Sequence, residues 1–161
     1  MSVEVLLTQR ELDMCLQVAM VRVSNAAKAG YKHKYHSGDF PAEAILNYNM
    51  HAAAAEMAAA KWLKIPNFVL SVDTYKNEPD IAPDWEVKHS SVDNGHLIIQ
   101  ENDRDSDRAI LVTGFNPYVI RGWLPVNYCK DSLYLKTTSR NTAYWVPQSE
   151  LVKVLPNEPG A

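Results

Sequence analysis

Pro66 divides this chain into two textures, and that division constrains the fold more than any other feature. Before it, Thr8 and Glu11 have the spacing of a capping box, and Leu12, Leu16, Ala19, Val23 and Ala27 recur on one helical face until Gly30 offers a stop. Pro41 opens a second helical pattern that runs to about Lys64, because alanine is the strongest helix former and Pro66 ends the run. After Pro66 the chain breaks into short segments rich in β-branched and aromatic residues, separated by Asn, Asp, Gly and Pro. Strands are predicted near residues 68–72, 85–89, 96–100, 109–113 and 118–124, with turns at 93–95 and 102–107. Residues 132–136 and 143–146 add strands, and 147–152 a helical turn. Helices followed by strands predict an α+β domain, with two long N-terminal helices packed on a central mixed or antiparallel sheet.

A chain of 161 residues fits one domain. Its parts are a first helix and basic loop over 1–40, a core over 41–155 and a loose tail over 156–161. With 47% hydrophobic and 22% charged residues, wholesale disorder is excluded. No apolar run reaches the roughly 18 residues of a membrane span, and the start lacks the layout of a signal peptide, so the expectation is a soluble, cytoplasmic protein. Cys15 and Cys129 match no metal-ligand spacing and read as buried thiols. The net charge of -3 works against binding a polyanion, which needs local positive potential. A cation-binding acidic centre beside a basic rim would reconcile the two.

The most informative stretch is Pro79-Asp80-Ile81-Ala82-Pro83-Asp84-Trp85-Glu86-Val87-Lys88. Residues two apart on a strand share a face, so Glu86 and Lys88 project together while Trp85 and Val87 pack behind. Asp80 precedes the strand across a proline-containing turn that can bring its carboxylate to the same spot. Such acids hold a hard divalent cation through oxygen, and a lysine beside them orients water or offsets developing negative charge. Asp84 also follows a proline and falls in phase with Glu86 and Lys88, so either aspartate fits as the ligand; Asp80 is preferred because a turn places it more freely.

Pro79-Asp80 followed by Glu86-Val87-Lys88 resembles the PD-(D/E)XK motif of restriction-endonuclease-like nucleases. His96-Leu97-Ile98-Ile99, Leu111-Val112-Thr113-Gly114, Arg121-Gly122-Trp123 and Tyr144-Trp145-Val146-Pro147-Gln148-Ser149 follow in the order found in a family of small phage-encoded proteins, a similarity that covers residues 50–155. The resemblance implies a restriction-endonuclease-like core, a magnesium- or manganese-dependent endonuclease or other deoxyribonuclease activity, DNA as substrate, and the host cytoplasm as its place of action. It makes Asp80 and Glu86 metal ligands and Lys88 the residue that positions the attacking water. It also implies an accessory acid on the preceding helix, for which the candidate is Glu56. Ala52, Ala53, Ala59 and Ala60 surround Glu56 at helical spacing, and no basic residue lies at pairing distance on its own helix. A buried, unpaired carboxylate needs a strong partner, and a metal would supply one; the alternative is an exposed alanine face with Glu56 in water.

The loop Tyr31, Lys32, His33, Lys34, Tyr35, His36 alternates cations with rings, so Tyr31, Lys32, Lys34 and Tyr35 are candidate DNA contacts, and a solvated loop is the competing reading. Gln100, at the end of the next strand, could orient phosphate or simply sit in water. His89 should point away from Lys88 and takes no catalytic role. The alternative function is a non-catalytic DNA- or protein-binding phage module that retains the nuclease fold. Endo- against exonuclease action, DNA preference, and monomer against homodimer stay open.

Overall fold

The computed structural model describes residues 2–30, 41–73 and 77–161. After a three-residue strand β1 (Val3–Val5), helix α1 (Gln9–Lys28) starts at Thr8, whose hydroxyl accepts the Glu11 amide at 3.2 Å while the Glu11 carboxylate accepts the Thr8 amide at 3.1 Å. The capping box read from the sequence is formed. Helix α2 (Ala42–Trp62) follows Pro41, and every residue from Ala53 to Ala60 is buried. A helix buried on all sides needs cover on all sides. Here α1 lies against one flank and a sheet against the other, and alanine's small side chain allows both close approaches.

That sheet is mixed and four-stranded, in the order β1, β5 (Tyr118–Pro125), β4 (Arg108–Thr113), β2 (Trp85–Ser90). β2 pairs with β4 in parallel, and the remaining pairs are antiparallel. Parallel neighbours need a crossover, most often a helix. Here the link is β3 (Leu97–Ile99), which leaves to join β7 (Thr142–Val146) and β6 (Leu135–Thr137) in a separate antiparallel sheet. A single helical turn, α3 (Val126–Cys129), follows β5.

The larger sheet separates two cores. Ile110, Val112, Tyr118 and Ile120 pack with Trp85 and Val87 against the buried stretch of α2. On the opposite face Ala109, Leu111 and Leu124 join Leu97, Ile99, Val126, Val146 and Leu151. One buried thiol lies in each core, Cys15 in the first and Cys129 in the second. The tail crosses β5 at Gly122, whose φ is +136°; a Cβ there would sit 2.5 Å from the Val152 carbonyl oxygen, and Trp123 exchanges backbone hydrogen bonds with Val152 at 3.0 Å.

One expected strand is absent and one strand was unforeseen. Residues 68–72 form no strand: Lys64 and Asn67 take positive φ around Pro66, and the segment then runs past the helices, where the Ser71 carbonyl accepts a hydrogen bond from Arg22. β1 was not expected, since three residues carry too little periodicity to register. Among the described residues, no helix is long and apolar enough to cross a membrane.

Candidate active site

β2 is an edge strand, so its outer backbone groups face no neighbouring strand. Asp80 occupies part of that edge. Ile81 is buried and exchanges backbone hydrogen bonds with Trp85 at 3.0 and 2.9 Å, folding residues 81–85 into a tight reversal. The reversal carries Asp80 back alongside β2, where its Oδ2 accepts the Val87 amide at 2.8 Å. Strand alternation then sets which side chains it meets. Glu86 and Lys88 stand beside Ala109 and Leu111 in the parallel register and share their face, away from the helices.

Lys88 Nζ lies 3.5 Å from Glu86 Oε1 and 2.9 Å from Asp103 Oδ2. Asp103 comes from the loop between β3 and β4 and also accepts the Gln100 amide at 2.8 Å. Buried Asp107 ends the same loop, with Arg104 donating to its Oδ2 at 2.7 and 2.9 Å. Parallel pairing is why this loop is present: it places the beginning of β4 beside the beginning of β2, so the acids preceding β4 arrive next to Glu86.

The electrostatics follow from that crowding. Burial pushes the Glu86 carboxyl up to about 7, with repulsion from Asp80 the next contribution and Asp103 and Asp107 adding to it, against the pull of Lys88. Burial alone would lower Lys88, but Asp103, Glu86 and Asp80 reverse it and hold the ammonium above its ordinary value. Lys88 is therefore a fixed cation at neutral pH, not a base.

Asp84 is engaged elsewhere: Arg108 donates to its two oxygens at 2.6 and 3.0 Å and lies 3.8 Å over the Trp85 ring, on the helix face. Asp80 is the aspartate that acts on Glu86. Glu56 is buried on α2, but its partner is Arg22 of α1, which donates to both carboxylate oxygens at 3.0 and 2.9 Å. The inference that a metal supplies the partner of Glu56 is corrected accordingly. Its helix packs on the opposite face of the sheet from Glu86 and Lys88, and its ion pair crosses between helices, where same-helix spacing cannot reveal it. Gln100 accepts a hydrogen bond from Asn141 at 3.0 Å and so ties the β3 end to the β6–β7 turn. His89 does face away from Lys88, toward His51 and Tyr118 on the helix side. Tyr31, Lys32, Lys34 and Tyr35 lie outside the described residues.

Sequence reading missed Asp103 and Asp107, which it placed in a plain turn. The available signal was the density of acids in residues 101–107 just before a strand, and only the parallel pairing gives that signal a location. Asp80, Glu86 and Asp103 offer only carboxylate oxygens, the donor type suited to magnesium or manganese. Among the described residues, no group of three or more His, Cys, Asp or Glu side chains is already arranged to hold a metal ion.

The fold and site together define an α+β protein with a lysine-centred carboxylate cluster on a sheet edge. No family model, curated protein or solved structure matches the chain.

Proposed function

We propose that this protein is a magnesium- or manganese-dependent phosphodiesterase acting on DNA, with a restriction-endonuclease-like core and Asp80, Glu86 and Lys88 as its centre. One observation carries the reading: Asp80 folds back onto the edge of β2, so that a second carboxylate bears on Glu86 beside an ammonium group. Repulsion between the acids is the condition a divalent cation relieves, and it supports Asp80 and Glu86 as the residues that would hold one. The ion, when bound, would polarise the phosphate and lower the pKa of water. Lys88 would offset charge developing on the phosphate, and Asp103 would hold its ammonium group in place. Glu56 has no part in this scheme.

The test is degradation of plasmid DNA with magnesium, stopped by chelator. Glu86→Ala and Lys88→Ala should each lower the rate at least about 100-fold while the far-ultraviolet circular dichroism is kept. Full activity in either folded variant would end the assignment.

The 2.9 Å pair between Lys88 and Asp103 also suits a second reading, a non-catalytic DNA- or protein-binding module whose ion pairs are structural. Calorimetric titration with manganese separates the two. Heat that is lost in Asp80→Asn and Glu86→Gln favours the enzyme, and no heat at millimolar manganese favours the module.

A further inference from the structure

From Ser132 to Ser149 the chain carries Lys136 and Arg140 and no acid, in a protein whose net charge is -3. These residues include the β6–β7 hairpin. Leu135, Thr137, Thr142 and Tyr144 occupy one of its faces, and Lys136 occupies the other, where Nζ lies 4.3 Å over the Trp145 ring. Arg140 sits in the exposed turn, which Thr138 closes by accepting the Arg140 and Asn141 amides.

Two observations connect this cationic hairpin with the carboxylate site. The first is position: the Asn141 amide holds Gln100, whose own backbone amide is held by Asp103, the partner of Lys88. The second is charge balance. The adjoining loop carries Glu101, Asp103, Asp105 and Asp107, and each is already engaged, by the Tyr144 hydroxyl, Lys88, Lys130 and Arg104 respectively. Among the described residues, neither Lys136 nor Arg140 has a carboxylate within ion-pair distance. Three of these acids are thus matched by cations and Glu101 by a hydroxyl, and the hairpin's two positive charges are left without a carboxylate partner.

We infer that the β6–β7 hairpin is a DNA-backbone contact, in which Lys136 and Arg140 bind phosphates flanking the segment presented to Glu86 and Lys88. This rests on the nuclease reading above and supplies the local positive potential that the net charge lacks. Ammonium and guanidinium groups on an edge hairpin suit phosphates without reading base sequence, so binding here is indifferent to sequence and steep in salt.

The experiment is fluorescence anisotropy of a labelled DNA duplex in chelator, where cleavage cannot intervene, over a series of salt concentrations. Lys136→Glu/Arg140→Glu should weaken binding about tenfold or more and flatten the salt dependence by about two units of slope. Arg140→Glu alone, at an exposed turn position, should have a smaller effect of the same kind. Arg10→Glu/Lys64→Glu, which makes the same change of net charge on the helix side, should leave the affinity within about twofold of the parent. Wild-type affinity in both hairpin variants overturns the inference, and so does an unmodified protein that fails to bind the duplex. A magnesium cleavage assay on the unmodified protein distinguishes the two failures: cleavage leaves the nuclease reading standing without this contact, and no cleavage removes both.

Discussion

The two faces of the larger sheet carry buried charge in opposite ways. On the helix side, Glu56 and Arg22 form one bidentate pair, acid matched to base at 2.9 Å. On the other side, Asp80, Asp103 and Asp107 all bear on Glu86, with Lys88 between Glu86 and Asp103 and Arg104 on Asp107. A matched pair holds two helices together, whereas like charges crowded around one buried carboxyl cost stability and persist where something else uses them. Glu86 differs from Glu56 in being pushed by neighbouring acids instead of being held by a bidentate guanidinium. Burial alone does not distinguish them.

Breaking the matched pair should give the largest effect. Arg22→Met leaves Glu56 buried without its guanidinium and should cost roughly 3 to 5 kcal/mol of unfolding free energy in urea melts. Arg22→Met/Glu56→Leu should recover most of it, because two apolar groups need no partner. A double variant as unstable as the single one would show that the ion pair itself stabilises the helices.

On the opposite face the same kind of change should affect activity first. Lys88→Ala should retain the fold and lose at least about 100-fold in DNA cleavage, while Arg22→Met/Glu56→Leu should cleave within about twofold of the parent. A large loss of cleavage in the latter would return Glu56 to the site.

Titration should sharpen the contrast at a smaller scale. Glu86 binds its proton more tightly when folded, at about 7 against 4.5, so its contribution to stability is complete below about pH 4.5 and is lost as the pH rises through about 7. Glu86→Gln cannot lose a proton. In chelator it should be more stable than the parent by roughly 1 to 3 kcal/mol at about pH 8, with the gain gone at about pH 4. An equal gain at both pH values would mean that repulsion among the carboxylates is not its source. The smallest effect is expected at Asp84→Asn, where a partly exposed pair with Arg108 is worth about 1 kcal/mol or less in thermal melts.

Legibility followed the range of the interaction. Both helices, the Thr8 capping box, and the shared face of Glu86 and Lys88 depend on spacings of two to four residues, and they were readable. The fold-back of Asp80 was readable as a turn, although its landing point on the Val87 amide was not. Glu56 was readable as a buried acid but not as the partner of Arg22, 34 positions away. The strand expected at 68–72 failed because that segment runs past the helices, where Arg22 holds the Ser71 carbonyl, and not along a sheet edge.

By itself, the amino-acid order determined the local conformations and which side chains leave each element together, because helical and strand periodicities are properties of a few consecutive residues. Tertiary structure decided which of those groups meet. Running β2 parallel to β4 brought Asp103 and Asp107 to Glu86, and packing α1 on α2 gave Glu56 its guanidinium, since both contacts join elements whose separation along the chain carries no sign of their proximity in space.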